Sequence, residues 1–352
     1  MSKVLIIADT HFDIRAGHPV FHDYFSKVFK HIFKYIDENQ IKTIIQLGDT
    51  FDRRRQVNFL SLYKAQEQFF DPIKERGIKL YVIAGNHNCY YKTTNEVNSV
   101  RLLLQPDNIS RIVYDTEPGT DSLGCGVDFD FFPWITEDNL ESTKEFISKS
   151  KSRFAVGHFE FANFRISKTQ MSESGMNHKL FSKYDLVFSG HYHSMSKKEN
   201  ILYCGTPYEL DWNDCDDVKG VWCIDTANTD LEFIRTPITL FKKIIYDEQN
   251  QLPDVSDSGE KYVRLVVKNK SHQKQFDNFI AKILSYKPHD MQIIDQEISK
   301  SIQESLNSKV EFTTTTEMIN CVVDSTETTL DKNKLKSIIS ETYAEATELA
   351  KL

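Results

Sequence analysis

The sequence predicts an α/β protein whose core has two packed β-sheets flanked by helices, followed by a small α+β cap and a C-terminal helical hairpin. In residues 1–240, short apolar runs alternate with amphipathic helical stretches. The runs are apolar at successive positions, as in strands that are covered on both faces. Strand-forming segments become more frequent after residue 110, which favours a second sheet packed against the first.

The strands that matter most for function are five apolar runs, at residues 4–8, 44–47, 80–84, 154–156 and 186–188. Weaker strand patterns lie at residues 123–132, 201–204, 221–224 and 231–234. Apolar residues at helical spacing predict helices over residues 21–37, 58–76 and 95–104. Gly77 ends the second of these helices directly before a strand.

The C-terminal third is predicted to contain three parts. Residues 241–295 form the cap, with strands at 262–267 and 291–294 and a helix at 272–284. Residues 296–312 are polar and predict a linker. Residues 313–352 are predicted to form the helical hairpin, with helices over 314–324 and 331–349.

The last helix has an apolar face that includes Leu335, Ile338, Ile339 and Tyr343. A tethered hairpin buries little surface by itself, so we expect this face to bind a partner protein. The alternative is that the helix packs back onto its own domain.

Composition limits the possible functions. The net charge of −8 argues against general nucleic-acid binding, although DNA remains possible as a substrate if a partner supplies much of the grip. The longest apolar stretch falls short of the roughly 20 residues that span a bilayer, and no signal peptide is expected. Six scattered cysteines without a C-x-x-C pair suit reduced thiols, so we expect a cytoplasmic protein.

Each of the five apolar runs ends in residues that commonly bind metal ions. In chain order these are Asp9 and His11, Asp49, Asn86 with His87, His158, and His191 with His193. Ligands of α/β proteins gather beyond the carboxyl ends of such strands. Two divalent ions about 3.5–4 Å apart need a bridging ligand, for which the Asp49 carboxylate is suited. Nitrogen and oxygen ligands without cysteine fit manganese, iron or zinc.

Each motif has a structural alternative when it is taken singly. A D-x-H or an H-x-H occurs by chance, and Gly-Asp after a strand is often only a turn. However, five of the 11 histidines directly follow apolar runs. The combination favours a dimetal hydrolase.

The order D-x-H, G-D-x-x-D, G-N-H, G-H and G-H-x-H resembles the calcineurin-like metallophosphoesterases. Within that superfamily the chain is most similar to SbcD-type nucleases of DNA recombination and repair, in particular the recombination endonuclease subunits of T-even-type phages. Further similar segments are residues 46–52, 132–134, 156–160, 189–193 and 205–207. The resemblance is strong over residues 1–240 and weaker over the cap, linker and C-terminal helices.

The resemblance implies a role for each motif residue. One metal ion would be held by Asp9, His11, Asp49 and His193, and the other by Asp49, Asn86, His158 and His191. His87 would act as a general acid, and Asp52 is the carboxylate expected to orient it. The family motif usually reads Gly-Asn-His-Asp, whereas this chain has Asn88 at the last position. That departure puts the orientation and pKa of His87 in doubt, but not metal binding.

The resemblance also implies a manganese-dependent DNA nuclease, acting as an exonuclease on duplex ends and as an endonuclease on single strands. Such a subunit works with an SMC-like, SbcC-type ATPase in recombination, repair and replication, and is expected to be a homodimer. The cap would bind DNA, and residues 313–352 would bind the base of the ATPase coiled coil. If the chain is encoded by a phage, the compartment is the host cytoplasm.

Two basic segments are candidate DNA contacts, namely Arg53, Arg54 and Arg55 after the second motif, and Lys197 with Lys198 after the fifth. The alternative for both is an ordinary solvated surface. Tyr90 and Tyr91 are suited to stacking on a base, but core packing is favoured for at least one of them.

Two other functions remain open. A dimetal centre does not determine its substrate, so a phosphatase or a phosphodiesterase for small substrates is the first alternative. The second alternative is a catalytically weak scaffold for the ATPase, which only Asn88 favours. The expected cap and C-terminal helices favour the nuclease.

Overall fold

The computed structural model describes residues 3–104, 111–124, 126–166, 170–295, 323–324 and 331–349. The strands are β1 Lys3–Ile7, β2 Thr43–Gln46, β3 Lys79–Ile83, β4 Arg111–Tyr114, β5 Gly119–Asp121, β6 Phe129–Phe132, β7 Phe154–His158, β8 Leu186–Gly190, β9 Ser196–Lys198, β10 Ile201–Tyr203, β11 Gly220–Asp225, β12 Asp230–Arg235, β13 Phe241–Asp247, β14 Tyr262–Asn269 and β15 Asp290–Asp295. The helices are α1 Ile14–Gly17, α2 Pro19–Glu38, α3 Phe59–Ala65, α4 Asp71–Glu75, α5 Ser99–Leu103, α6 Leu140–Lys149, α7 Gln273–Ser285 and α8 Lys332–Leu349.

The chain divides into two compact units. The first comprises Met1–Lys242 with Glu260–Tyr262, and the second comprises Lys243–Gly259 with Val263–Leu352. No helix in the described ranges is long and apolar enough to cross a membrane.

The first unit contains two six-stranded sheets. In the first sheet the strand order is β12-β11-β1-β2-β3-β4, and in the second it is β5-β6-β7-β8-β10-β9. Strands β1 to β4 are parallel to one another, and so are β6, β7, β8 and β10. Antiparallel strands complete the sheets, β11 and β12 in the first and β5 and β9 in the second. Each sheet therefore has a block of parallel strands whose carboxyl ends share one edge.

Apolar side chains cover both faces of both sheets, because successive residues of a strand point to opposite sides. In β1, Val4 and Ile6 belong to the core between the sheets, whereas Leu5 and Ile7 pack with the apolar face of α2. The outer face of the second sheet packs in a third cluster that includes Ile147 of α6. The predicted fold of two packed sheets flanked by helices is confirmed.

Three elements differ from the prediction. The strand predicted over 123–132 begins only at β6, because Leu123 has a left-handed backbone and its N–H donates to Asp121 Oδ1 at 2.7 Å, which forms a turn. The helix predicted over 95–104 begins at Ser99, where the Asn98 side chain caps it by accepting from Arg101 N at 2.8 Å. The helix predicted over 58–76 contains a π-helical turn, Gln66–Phe70, between α3 and α4.

The second unit contains a three-stranded sheet, ordered β13-β14-β15, together with α7. Its own apolar cluster includes Tyr246, Leu265, Phe279 and Ile283. The last predicted helix is present as α8. The predicted linker, the first C-terminal helix except residues 323–324, and the Tyr343 side chain lie outside the described residues. On α8, Ile338 is 52% exposed, whereas Leu335 and Ile339 are half-buried.

Candidate metal centre

The five motif segments come together at one edge of the two-sheet core. Three of them follow β1, β2 and β3, which are neighbours in the first sheet. The other two follow or end β7 and β8, which are neighbours in the second. Because these strands run parallel within each sheet, their carboxyl ends bring the motif side chains together.

The Asp49 carboxylate lies at the middle of the cluster. Its Oδ2 atom is 3.2 Å from His158 Nε2 and 3.8 Å from His11 Nε2. Potential ligand atoms lie within 4.8 Å of one another in three groups, namely Asp9 with His11 and Asp49, Asp49 with His158 and His191, and His11 with Asp52 and His87. His193 lies beside the first group, with its ring centroid 5.1 Å from that of His11.

The Asn86 amide faces two imidazoles. Its Oδ1 atom is 2.8 Å from His158 Nε2 and 3.0 Å from His191 Nδ1. Without a cation, the opposite amide orientation is better, because the Asn86 nitrogen would then donate to both rings. A cation held between these atoms favours the first orientation, since an amide binds metal through its oxygen. The His158 ring is directed by its Nδ1 atom, which lies 2.8 Å from the Leu47 carbonyl oxygen.

Unsatisfied polar atoms at the same place fit divalent metal ions. Asp9 Oδ2 and His11 Nε2 are buried and have no hydrogen-bond partner among the described residues. Leaving such groups unpaired costs about 1–3 kcal/mol each in a protein interior. Carboxylate, amide and imidazole donors at this density are suited to a pair of transition-metal ions.

The backbone is strained where the site is formed. Asp9, His11, Asp49 and His191 all have left-handed φ angles, of 42°, 41°, 45° and 86° respectively. Such conformations are uncommon outside glycine and persist where the surrounding structure holds them, often at functional sites. Long-range bonds hold them here, since His191 N donates to Asp9 Oδ1 and His87 N donates to Asp49 Oδ1, both at 2.8 Å.

A glycine is required beside Asp49. A Cβ atom on Gly85 would lie 2.3 Å from Asp49 Oδ1 and 2.9 Å from His158 Cε1. The glycine of the G-N-H motif therefore allows β3 to approach the carboxylate that follows β2.

Burial and charge shift the pKa values of the cluster. Burial raises the pKa of Asp9 to about 6, although His158 opposes the shift. Burial lowers the pKa of His11, but the Asp52 hydrogen bond and the Asp49 charge outweigh it and raise the pKa to about 9. Burial also raises the pKa of Asp49, yet its contacts with His158 hold that pKa well below the usual range. The buried carboxylates therefore attract cations. Burial also makes each of these charges unfavourable unless it is paired.

Asp52 contacts a different histidine from the one expected. Its carboxylate lies 3.2 Å from His11 Nδ1, whereas the atom against His87 Nδ1 is the Asp52 backbone carbonyl oxygen. The expectation that the carboxylate orients His87 is corrected accordingly. The reason is the turn after Asp49, in which the Asp52 N–H donates to Asp13 Oδ1 and the side chain extends towards His11.

Asn88 acts within its own loop. Its Oδ1 atom accepts from Gly85 N at 2.9 Å, and its Nδ2 atom donates to Ser99 Oγ at 3.1 Å. These bonds involve neither nitrogen of the His87 ring. An uncharged amide supplies both the acceptor and the donor that this loop uses.

The family model for calcineurin-like phosphoesterases matches residues 2–195, which contain every motif of the cluster. The chain belongs to this family. It is therefore a metal-dependent phosphodiesterase, and the expectation of divalent metal ions is met at the level of the family. The exonuclease subunit 1 of Enterobacteria phage T4 is 30% identical to this phosphoesterase over 352 residues, which cover 98% of this chain and 100% of the relative.

Two solved structures are also similar to the phosphoesterase. An archaeal phosphodiesterase has a TM-score of 0.34 at 13% identity and covers 66% of this chain and 99% of its own. A dimetal phosphatase from Danio rerio has a TM-score of 0.43 at 10% identity and covers 67% of this chain and 96% of its own. The family assignment rests on the family model and the phage relative.

The candidate DNA contacts lie in different surroundings. Arg54 is half-buried, and its Nη2 atom is 3.2 Å from the Asn86 side-chain amide, whereas Arg53 and Arg55 are exposed. Lys197 and Lys198 are exposed on β9, the outer strand of the second sheet.

The tyrosine pair is not in the core. Tyr90 and Tyr91 are 37% and 51% exposed, so the expectation that at least one of them is a core residue is wrong. The Arg55 guanidinium lies 5.4 Å from the centre of the Tyr90 ring, which leaves both rings at the surface near the motif that contains His87.

Sequence reasoning did not assign Trp134 to the site. Its ring centroid is 5.2 Å from that of His191 and 5.9 Å from that of His158, so it forms an aromatic wall beside them. The Trp134 backbone N–H donates to the Ala84 carbonyl oxygen at 2.7 Å. The available signals were its place two residues after a buried strand, β6, and its position in the similar segment 132–134.

Proposed function

We propose that this phosphoesterase is the nuclease subunit of a DNA-processing complex, with manganese as its metal, exonuclease activity on duplex ends and endonuclease activity on single strands. The observation that carries the proposal is the convergence of seven predicted ligands and His87 at one edge of the core, in a chain related over its full length to a phage exonuclease subunit. Recombination, repair and replication are the processes in which we expect it to act.

The predicted ligands divide into two sets that share Asp49. Asp9, His11, Asp49 and His193 would hold one ion, and Asp49, Asn86, His158 and His191 would hold the other. When bound, two divalent ions lower the pKa of water and offset the charge that develops on the phosphate. The close contact of Asp49 Oδ2 with nitrogens from both sets, at 3.2 Å and 3.8 Å, supports its role as the bridge.

His87 is proposed to donate a proton to the leaving oxygen. An Nδ1–H that bonds the Asp52 carbonyl leaves Nε2 as the atom that carries and transfers the proton. Its backbone N–H bonds Asp49 Oδ1, so the acid and the proposed bridging ligand keep a constant spacing. Asp52 contributes indirectly, through its carbonyl to His87 and its carboxylate to His11.

Arg54 is the strongest candidate for gripping a phosphate near the reacting bond. Its Nη1 atom is buried without a hydrogen-bond partner in the described ranges, and its Nη2 atom adjoins the Asn86 amide. A guanidinium with unused donors next to a metal centre is suited to a phosphate. Arg53, Arg55, Lys197 and Lys198 are exposed and would contact more distant phosphates.

A homodimer is supported by an apolar patch on two helices. Phe59 at the start of α3 is 88% exposed, and Leu102 and Leu103 of α5 are also exposed. These three residues line one cavity of about 220 Å³. Exposed apolar clusters of this kind mark protein interfaces. We propose that a second copy of the chain covers the patch. Phe59→Asp should then convert the dimer into a monomer, which light scattering would detect as a lower molecular mass.

The C-terminal region is proposed to bind an SMC-like, SbcC-type ATPase. The exposed side chain of Ile338 and the half-buried Leu335 and Ile339 on α8 support an apolar docking face, to which Tyr343 would belong. We assign DNA binding to the cap, residues 241–295, and partner binding to residues 313–352, joined by the linker 296–312. The net charge of −8 agrees with DNA affinity that comes partly from the partner.

The test is digestion of end-labelled duplex and single-stranded DNA by the purified chain, with Mn²⁺ and Mg²⁺ compared. Asp49→Asn and His87→Ala are the active-site variants. The control is Lys183→Met, because Lys183 precedes the start of β8 and its ammonium bonds the carbonyls of Ile147 and Ser150, none of which belongs to the motifs. We expect Mn²⁺-dependent cleavage that both active-site variants lose by at least about 10²-fold and the control retains.

The same preparations should be assayed on a chromogenic phosphodiester. Turnover of that compound without cleavage of either DNA would refute the nuclease and favour a small-substrate phosphodiesterase. Full DNA cleavage by His87→Ala would refute the role of His87.

A further inference from the structure

Lys219 is a buried lysine directly before β11. It is 4% exposed, which is rare for lysine unless the ammonium is paired. Its Nζ atom donates to the His193 carbonyl oxygen at 2.7 Å and to Asp214 Oδ1 at 2.5 Å, and lies 3.2 Å from Asp217 Oδ2. Three oxygens therefore account for the three N–H donors of the ammonium.

The two carboxylates are themselves held in place. Asp214 Oδ2 accepts from Leu210 N at 2.8 Å and from Asp211 N at 3.3 Å. Asp217 Oδ2 accepts from Ser194 Oγ at 2.9 Å. The ion cluster of Lys219, Asp214 and Asp217 thus holds the last residue of the H-x-H segment through the His193 carbonyl, and the next residue through the Ser194 hydroxyl.

The H-x-H segment needs such restraint. It lies between β8 and β9, and His191 has a left-handed φ of 86°. Its start is held by the bond from His191 N to Asp9 Oδ1, and its end by Lys219 and by Thr206 N, which donates to the His193 carbonyl at 3.2 Å. Lys219 is the one charged donor on that carbonyl in the described part of the chain.

We propose that Lys219 is a positioning residue for the metal centre, which fixes the His193 backbone so that its imidazole meets the ion shared with Asp9, His11 and Asp49. The proposal rests on the ligand sets proposed above. Bonds that orient metal ligands commonly change affinity by about 10–100-fold when they are removed.

The direction in which cation affinity changes, when Lys219 is replaced by a neutral residue, distinguishes a positioning role from a purely electrostatic one. Removing a positive charge near a cation site should tighten cation binding by Coulomb attraction alone. Loss of positioning should weaken it. The variant Lys219→Met tests this difference, and Lys219→Met with Asp214→Asn retains the net charge of the cluster while avoiding an unpaired buried Asp214.

The experiment measures Mn²⁺ binding to the full chain by calorimetry and by electron paramagnetic resonance of the free ion, with unfolding followed by circular dichroism in EDTA. The matched control is Lys183→Met, since the Lys183 ammonium also bonds backbone carbonyls, those of Ile147 and Ser150. We expect the folded Lys219 variants to bind one of two Mn²⁺ ions about 10–100-fold more weakly, with the control unchanged.

Unchanged or tighter Mn²⁺ binding by a folded Lys219 variant would overturn the proposal while leaving the nuclease proposal intact. If Lys219→Met alone does not fold, Mn²⁺ binding is measured on the double variant, Lys219→Met with Asp214→Asn, and the same two outcomes apply. Absence of Mn²⁺ binding by the wild-type chain would instead overturn the ligand sets, and this inference with them.

Discussion

Gly85→Ala should disable the metal centre without greatly disturbing the fold. The new methyl group would lie 2.3 Å from Asp49 Oδ1 and 2.6 Å from Asp49 N. Since ordinary carbon contacts begin near 3.5 Å, the carboxylate or β3 would have to move by about 1 Å. A displacement of that size at an active site costs about 10²-fold in rate. Mn²⁺ affinity should also fall, because Asp49 is the proposed bridge.

The matched control is Gly77→Ala. Gly77 has a left-handed φ of 59°, and a Cβ atom there would meet nothing within 4 Å. An alanine in that conformation costs roughly 1–2 kcal/mol of stability, yet leaves the metal centre untouched. We therefore expect Gly77→Ala to lower the denaturation midpoint while retaining Mn²⁺ binding, and Gly85→Ala to lose that binding. Wild-type Mn²⁺ affinity in Gly85→Ala would refute the reasoning.

Three further predictions concern stability and the G-N-H loop. Phe131 is fully buried and its ring stacks 4.4 Å from that of Tyr114, so Phe131→Ala should lower the free energy of unfolding by about 3–5 kcal/mol in urea titrations, whereas Met171→Ala, at an exposed side chain, should change it by under about 0.5 kcal/mol. Burial raises the pKa of Glu209 to about 7 from 4.5, so its contribution to stability is present below pH 4.5 and is lost as the pH rises through 7. The stability of Glu209→Gln relative to wild type should therefore rise by at most about 3 kcal/mol between pH 4.5 and 8, and parallel pH profiles would contradict this. Asn88→Asp should retain Mn²⁺ affinity and change the free energy of unfolding by under about 1 kcal/mol, because an aspartate can still accept from Gly85 N and from the Ser99 hydroxyl; a large loss of Mn²⁺ affinity would contradict the loop role.

The strands and the order of the candidate metal-ligand motifs could be predicted because both depend on short segments. A strand covered on both faces must be apolar at successive positions, so β1, β2, β3, β7 and β8 are visible as runs. A polar residue directly after such a run must leave the core at the carboxyl end of the strand. Parallel strands share that end, which is why Asp9, Asp49 and Asn86 could be expected at one edge.

Turns were harder to predict, since side-chain bonds decide where they begin. The bond to the Asp121 carboxylate forms a turn that delays the start of one predicted strand, and the Asn98 amide delays the start of one predicted helix. The spacing of apolar residues predicts neither hydrogen bond, because both are made by polar side chains.

Tertiary structure alone decided how the two sheets complete one site. Asp9 and His191 are 182 positions apart, yet the His191 N–H bonds the Asp9 carboxylate. Two further contacts depend on packing between distant segments. The Asp52 carboxylate contacts His11, and Lys219 is buried against the His193 carbonyl. Local sequence patterns show which polar side chains lie at the end of a strand, because a buried strand must itself be apolar. They do not show which atoms then meet, because those contacts arise only when separate elements pack.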